Sequence, residues 1–154
     1  MSHDLLDLAR DAYERTAWAD AYSGFCAADE QAPLDHVDLE RAARAAELVG
    51  RPAESDALWQ RAVNESARTG DTEHAARCAF WLGSALMQRG DIAQAGGWLA
   101  RARGLFEETG TESAVAGYLL IAVALPALFS GDAASRGRDL PKRWKSANGS
   151  ASAI

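Results

Sequence analysis

The chain has 154 residues, 48% of them hydrophobic, and a formal net charge of −6 at pH 7. This length and composition fit one globular domain with a buried core, and they exclude a chain that is disordered throughout. The acidic balance argues against a general nucleic-acid-binding surface, because such surfaces carry clustered positive charge.

Glycines at an almost fixed stride divide the sequence into segments of similar length. They are Gly50, Gly70, Gly90, Gly110 and Gly131, and four of the five are followed by an Asp or a Thr. Glycine adopts the left-handed conformation that ends a helix, and Asp or Thr accepts hydrogen bonds from the first amides of the next helix. The pattern predicts no strands, and it predicts helices at 4–15, 18–30, 37–49, 53–69, 72–89, 92–109 and 112–130.

The predicted helices repeat in pairs. The first helices of successive pairs are offset by 34, 40 and 41 residues, and each has a small residue at the expected helix crossing: Ala9, Ala43, Gly83 and Ala124. In the second helices a large apolar residue follows a small one at four positions, and the aromatic residues have helical spacing, which is typical of core packing. The sequence therefore predicts an all-α helical-repeat solenoid of about seven antiparallel helices.

These repeats resemble the tetratricopeptide repeat, a helix–turn–helix unit of 34 residues. The run AARCAFWLG at 75–83, followed by GGWLARA at 96–102, resembles the repeat region of actinobacterial LuxR-type (MalT-like) transcriptional regulators. The resemblance covers residues 5–131 and implies a bacterial protein. In that family a C-terminal helix-turn-helix domain follows the repeats, and the residues after 131 are too few for one, so direct DNA binding is not expected.

Charge is divided unevenly along the chain. Residues 1–135 contain 11 Arg, no Lys and 21 acidic residues, whereas residues 136–154 contain five basic residues and one acidic residue. The helical period is also lost after Gly131. We therefore predict a tetratricopeptide-like repeat domain at 1–131 and a basic, disordered tail at 132–154. A truncation, a frameshift and a native linker all account for such a tail.

No catalytic or metal-binding motif is found in the sequence. The first 135 residues contain no lysine, which excludes a GxxxxGK phosphate-binding loop, and HExxH and GxSxG are missing. His3, His36 and His74 are scattered over different segments. Cys26 and Cys78 occur in alanine-rich runs typical of reduced core thiols, and the predicted arrangement brings neither thiol to a histidine. We expect a cytoplasmic protein that is not an enzyme and has no metal and no cofactor.

The predicted binding surface is the concave face, which the first helices of the repeats line. Arg10 and Arg44 occupy equivalent positions there, and together they would clamp a peptide carboxylate. The alternative is that they pair with neighbouring Glu14, Glu40 and Glu47. The predicted groove residues are Arg10, Tyr13, Glu40, Arg44, Glu47, Arg77, Phe80, Ser84 and Met87.

The last predicted helix, 112–130, is apolar on nearly all sides and lacks the polar cap that usually closes a repeat array. Its uncharged stretch at 114–129 has 16 residues, fewer than the roughly 20 that span a membrane. We therefore predict a buried helix, covered by self-association, by the tail or by a partner. The residues predicted to form a homodimer are Tyr118, Ile121, Leu125, Leu128 and Phe129.

The expected function is that of a non-catalytic protein- or ligand-binding module, the regulatory part of a truncated LuxR-type transcriptional regulator. The alternative is a free-standing tetratricopeptide scaffold or adaptor unrelated to transcription. In both cases the expected partner is a protein or peptide, and no membrane association is expected.

Overall fold

Six helices make up the part of the chain that the structure describes, which is residues 2–109 and residue 117. In this computed structural model they are α1 (Ser2–Glu14), α2 (Trp18–Gln31), α3 (His36–Leu48), α4 (Pro52–Thr69), α5 (Thr72–Gln88) and α6 (Ile92–Thr109). No strand occurs among these residues. The prediction of an all-α fold is confirmed, and each of the six predicted helices ends within about two residues of its observed boundary.

Several predictions fall on residues outside that part of the chain. They are the seventh helix at 112–130, the tail at 132–154 and the proposed dimer residues Tyr118, Ile121, Leu125, Leu128 and Phe129. Within the described residues, none of the helices is both long enough and apolar enough to cross a lipid bilayer.

The glycine–aspartate turns end one helix and begin the next as their chemistry predicts. Gly70 follows α4 with φ of 82°, a conformation that glycine adopts without steric cost. The Asp71 carboxylate then accepts a hydrogen bond from the backbone N–H of His74 at 3.1 Å, which caps α5. Asp91 accepts the equivalent bond from the N–H of Gln94 at 3.2 Å. These short turns make consecutive helices antiparallel.

Helices approach closely where the sequence places small residues. A Cβ on Gly83 would lie 2.8 Å from Cγ of Leu99, so α5 and α6 are in contact at a position that leaves no room for a side chain. A Cβ on Gly24 would lie 2.9 Å from Cβ of Ala9, which gives the same close approach between α1 and α2. The small residues predicted at these crossings therefore set the distance between paired helices.

Each helix packs chiefly against the helices before and after it, and α1 also contacts α3. The core between them has the predicted pattern of large residues against alanines. Phe25 and Trp59 are 0% and 2% exposed, and alanines at the three aligned positions, Ala28, Ala62 and Ala102, are buried as well. This stacking of helix pairs through neighbour contacts is the architecture of a helical-repeat solenoid.

Candidate functional site

A pocket of about 280 Å³ lies among side chains from five helices. Small-molecule sites commonly enclose about 300–1,000 Å³, so this pocket is the size of one large side chain or a small fragment. We call it the Arg44 pocket. Its lining combines four aromatic residues with one cation, one anion and one leucine: Tyr13, Trp18, Arg44, Glu47, Leu48, Trp59 and Trp81.

The turn between α1 and α2 places Tyr13 against Trp18. Thr16 has φ of 59° in this turn, and its N–H donates to the carbonyl of Tyr13 at 3.0 Å, so the chain reverses within a few residues. The two rings meet edge to face with centroids 5.3 Å apart. Burial raises the pKa of Tyr13, and its hydroxyl is therefore protonated at neutral pH.

Arg44 lies over two tryptophan rings that come from different helices. Its Cζ is 5.7 Å from the ring centroid of Trp59 on α4 and 5.5 Å from that of Trp81 on α5. Each such cation–π contact contributes roughly 0.5–2 kcal/mol, depending on how far water is excluded. Trp59 is 2% exposed and Trp81 is 39% exposed. The pocket therefore has one buried and one accessible aromatic wall.

Glu40 holds the Arg44 guanidinium in this position. Arg44 donates to Oε1 of Glu40 through Nε at 3.2 Å and Nη2 at 2.9 Å. The other carboxylate oxygen accepts from Nη2 of Arg77 at 2.9 Å and contacts Nε2 of His74. Two cations on one carboxylate fix the orientation of Arg44 before any partner binds, which reduces the entropy lost on binding.

The charge of Glu40 is secure across the physiological range. Burial by itself would raise the pKa of this carboxyl, but hydrogen bonds from His74 and Arg77 and the charges of Arg77 and Arg44 lower it to about 2. Glu40 is therefore anionic at every pH at which the protein would work.

The indole Nε1 of Trp59 is buried and has no hydrogen-bond partner among the described residues. A buried donor without a partner costs about 1–3 kcal/mol relative to a paired one. Because Trp59 belongs to the lining of the Arg44 pocket, an acceptor atom brought in by a partner is one way to satisfy this donor.

Five of the nine predicted groove residues come together here. Tyr13, Arg44 and Glu47 line the Arg44 pocket, while Glu40 and Arg77 form the ion-pair network that holds Arg44. The other four lie elsewhere. Arg10 binds both oxygens of buried Asp38, at 3.1 and 2.6 Å, Phe80 is buried edge-on against Trp81, and Ser84 and Met87 are half-buried on α5.

Arg10 and Arg44 therefore hold separate carboxylates within the protein. Arg44 pairs with Glu40, as the alternative interpretation of the sequence proposed, whereas Arg10 pairs with Asp38 and Asp7. Four pocket residues were absent from the predicted set: Trp18, Leu48, Trp59 and Trp81. Helical spacing indicated a core role for the tryptophans, and spacing does not distinguish a core wall from a pocket wall.

The prediction that the histidines are scattered, with no histidine near a thiol, was wrong. His36 and His74 have ring centroids 4.7 Å apart, and Sγ of Cys78 is 3.8 Å from Nε2 of His74. The spacing of four residues between His74 and Cys78 on one helix was a usable signal. Burial and the negative charge of Glu40 raise the pKa of Cys78 to about 12, so the thiol stays protonated and is a poor nucleophile.

No protein-family model and no curated protein sequence matches this chain. Among solved structures, the chain is similar to the N-terminal domain of stress-induced protein-1 from C. elegans, with a TM-score of 0.60 and 22% sequence identity. The match covers 68% of this chain and 84% of that domain. Identity at this level establishes the fold alone. With the helix pairs and crossings described above, that fold is a tetratricopeptide-like helical-repeat domain.

Proposed function

We propose that this chain is a non-catalytic binding module for a protein or peptide partner, and that the Arg44 pocket receives one side chain of that partner. The observation that carries the proposal is the buried Trp59 indole, without a partner among the described residues, in the wall of a pocket that also contains a preoriented guanidinium. A functional pocket needs a few polar groups that converge within apolar walls, and this pocket has them.

The composition of the pocket supports a macromolecular partner. Tryptophan, tyrosine and arginine are the residues that most often dominate protein–protein binding energies, and they do so in desolvated pockets near the centre of an interface. Trp81 and Leu48 are the exposed apolar members of the lining, at 39% and 59% exposure. They extend the apolar surface from the pocket outward, where a peptide backbone would lie.

The polar groups define what the bound side chain and its backbone must offer. Arg44 and Trp59 are donors, so the partner must present an acceptor oxygen next to an apolar group. The charge of Arg44 is already matched by Glu40, and Glu47 adds a negative charge to the lining. This balance favours a neutral carbonyl over a free carboxylate, and it favours an aromatic or aliphatic side chain over an acidic one.

Selection from a random-peptide display library against the full-length chain tests the proposal. We expect the enriched peptides to share an aromatic or aliphatic residue, and we expect Trp81→Ala to weaken their binding at least about tenfold. Trp98→Ala is the matched control, since Trp98 is also partly exposed and stacks on Arg101 at 5.4 Å, but lies on α6 outside the Arg44 pocket. Selected peptides that bind Trp81→Ala and the parent equally would refute the assignment of the pocket.

We further propose that the module is the regulatory part of a LuxR-type transcriptional regulator. The resemblance of residues 75–83 and 96–102 to the repeats of those regulators supports this origin. A free-standing tetratricopeptide adaptor is the competing function. The genomic sequence downstream separates them, because a reading frame that continues the repeats into a helix-turn-helix domain favours the regulator, and an unrelated gene favours the adaptor.

A further inference from the structure

A second polar cluster lies where α3 and α5 begin, among residues that do not line the Arg44 pocket. It contains His36, the first residue of α3, together with Asp71 and His74 at the start of α5. One ring nitrogen of each histidine and one carboxylate oxygen of Asp71 all lie within 4.8 Å of one another. We call these three residues the His36 cluster.

We infer that the His36 cluster binds a divalent transition-metal cation such as Zn²⁺. Two imidazole nitrogens, one carboxylate oxygen and a water form a common four-coordinate zinc site, with bonds of about 2.0–2.2 Å. Adjacent ligand atoms in such a tetrahedron are about 3.4 Å apart. Nε2 of His36 lies 3.4 Å from Oδ2 of Asp71, so this pair already has the separation that one zinc ion requires.

Local structure fixes two of the three ligands in place. Oδ1 of Asp71 accepts the N–H of His74 at 3.1 Å as the cap of α5, which leaves Oδ2 on the side of His36. The His74 ring contacts Glu40 through Nε2 and Ser66 Oγ through Nδ1, the latter at 2.8 Å. A carboxylate against a ligating histidine is the usual device that sets the orientation and basicity of the ring.

The cluster has both a buried end and an open end. His74 is buried, whereas the side chain of Asp71 is 47% exposed, so a hydrated ion has a route in and a position for a remaining water. Ser66 is not left unsatisfied if the His74 ring turns to a metal, because its hydroxyl also lies 2.7 Å from the carbonyl of Ala62.

A neighbouring set of possible ligands is less suited to a cation. Glu40, His74 and Cys78 also have ligand atoms within 4.8 Å of one another. However, the Glu40 carboxylate is occupied by the guanidiniums of Arg44 and Arg77, which would repel a metal ion. The Cys78 side chain is fully buried and would have to lose a proton there. The His36 cluster is therefore the favoured site.

Calorimetric titration of the untagged, full-length chain with ZnCl₂ after removal of metals by chelation tests the inference. We expect saturable binding of one equivalent, and a loss of affinity of at least about tenfold in both His36→Gln and Asp71→Asn. Asparagine still caps a helix, so Asp71→Asn removes the ligand charge and keeps α5 capped. Asp91→Asn is the matched control, because Asp91 caps α6 in the same way at 3.2 Å and belongs to no such cluster of described residues.

Substitution with Co²⁺ provides a readout that depends on coordination alone. Bound Co²⁺ in the parent should give visible absorption bands of a four-coordinate site, and both ligand variants should lose them. Circular dichroism of the metal-free variants verifies that they remain folded. Failure of the parent to bind Zn²⁺, or binding that His36→Gln and Asp71→Asn leave unchanged, would overturn the inference. Neither measurement depends on the partner of the Arg44 pocket.

Discussion

Replacing Glu40 by glutamine should destabilise the protein in a way that depends on pH. Glutamine keeps the shape of the side chain but removes the charge that holds Arg44, Arg77 and His74. The carboxyl has a pKa of about 2 in the folded protein against an ordinary value of 4.5, a difference of about 2.5. At about 1.4 kcal/mol for each pKa unit, ionised Glu40 contributes roughly 3 kcal/mol to the free energy of unfolding at pH 7.

The direction of the pH dependence follows from the depressed pKa. The stabilisation is complete above the unfolded pKa of 4.5 and is lost as pH falls towards the folded value of about 2. At pH 3 the remaining contribution is about 1.4 kcal/mol. The difference in unfolding free energy between the parent and Glu40→Gln should therefore fall by about half between pH 7 and pH 3.

Urea unfolding followed by far-ultraviolet circular dichroism at the two pH values measures this difference. Glu54→Gln is the control, because Glu54 forms an exposed ion pair with Arg51 at 3.4 Å and should change stability by less than about 1 kcal/mol. A loss below about 1 kcal/mol for Glu40→Gln at pH 7, or a loss that stays constant down to pH 3, would refute the reasoning.

Two further predictions concern packing and thiol chemistry. Gly83→Ala should cost about 1–3 kcal/mol, because its Cβ would lie 2.8 Å from Cγ of Leu99, whereas Gly97→Ala on exposed α6 surface should stabilise by up to about 1 kcal/mol; thermal denaturation compares the two, and equal effects would contradict the close crossing. At pH 8 a thiol reagent should modify half-buried Cys26 and spare Cys78 in the native protein, since Cys78 is buried and its pKa is raised to about 12; rapid reaction of both thiols would contradict this.

The fold was predictable because its signals are local. A glycine with positive φ and the aspartate that follows it act within a few residues of the chain, as at Gly70 and Asp71. The small residues at crossings, such as Gly83, recur with the period of the repeat. Neither signal requires knowledge of distant contacts, and together they placed six helices.

The candidate site was only partly predictable, because it depends on which side chains from different helices meet. The repeat predicted that Tyr13, Arg44 and Glu47 face one groove, and all three line the Arg44 pocket. It did not predict that Arg44 would lie between Trp59 and Trp81, since helical spacing alone assigns both rings to the core. The contact of Glu40 with His74 was accessible in principle, because the two residues are 34 positions apart, one repeat length.

The position of Glu40 has a consequence for how the array unfolds. In a solenoid each repeat contributes its own stability plus a coupling to its neighbours, and weak coupling allows units to melt one at a time. Glu40 belongs to one helix pair, yet His74 and Arg77, which bind it, belong to the next. Separating those pairs would expose an anion and two cationic or polar partners at once, so α3–α4 and α5–α6 should lose their structure as a single cooperative unit.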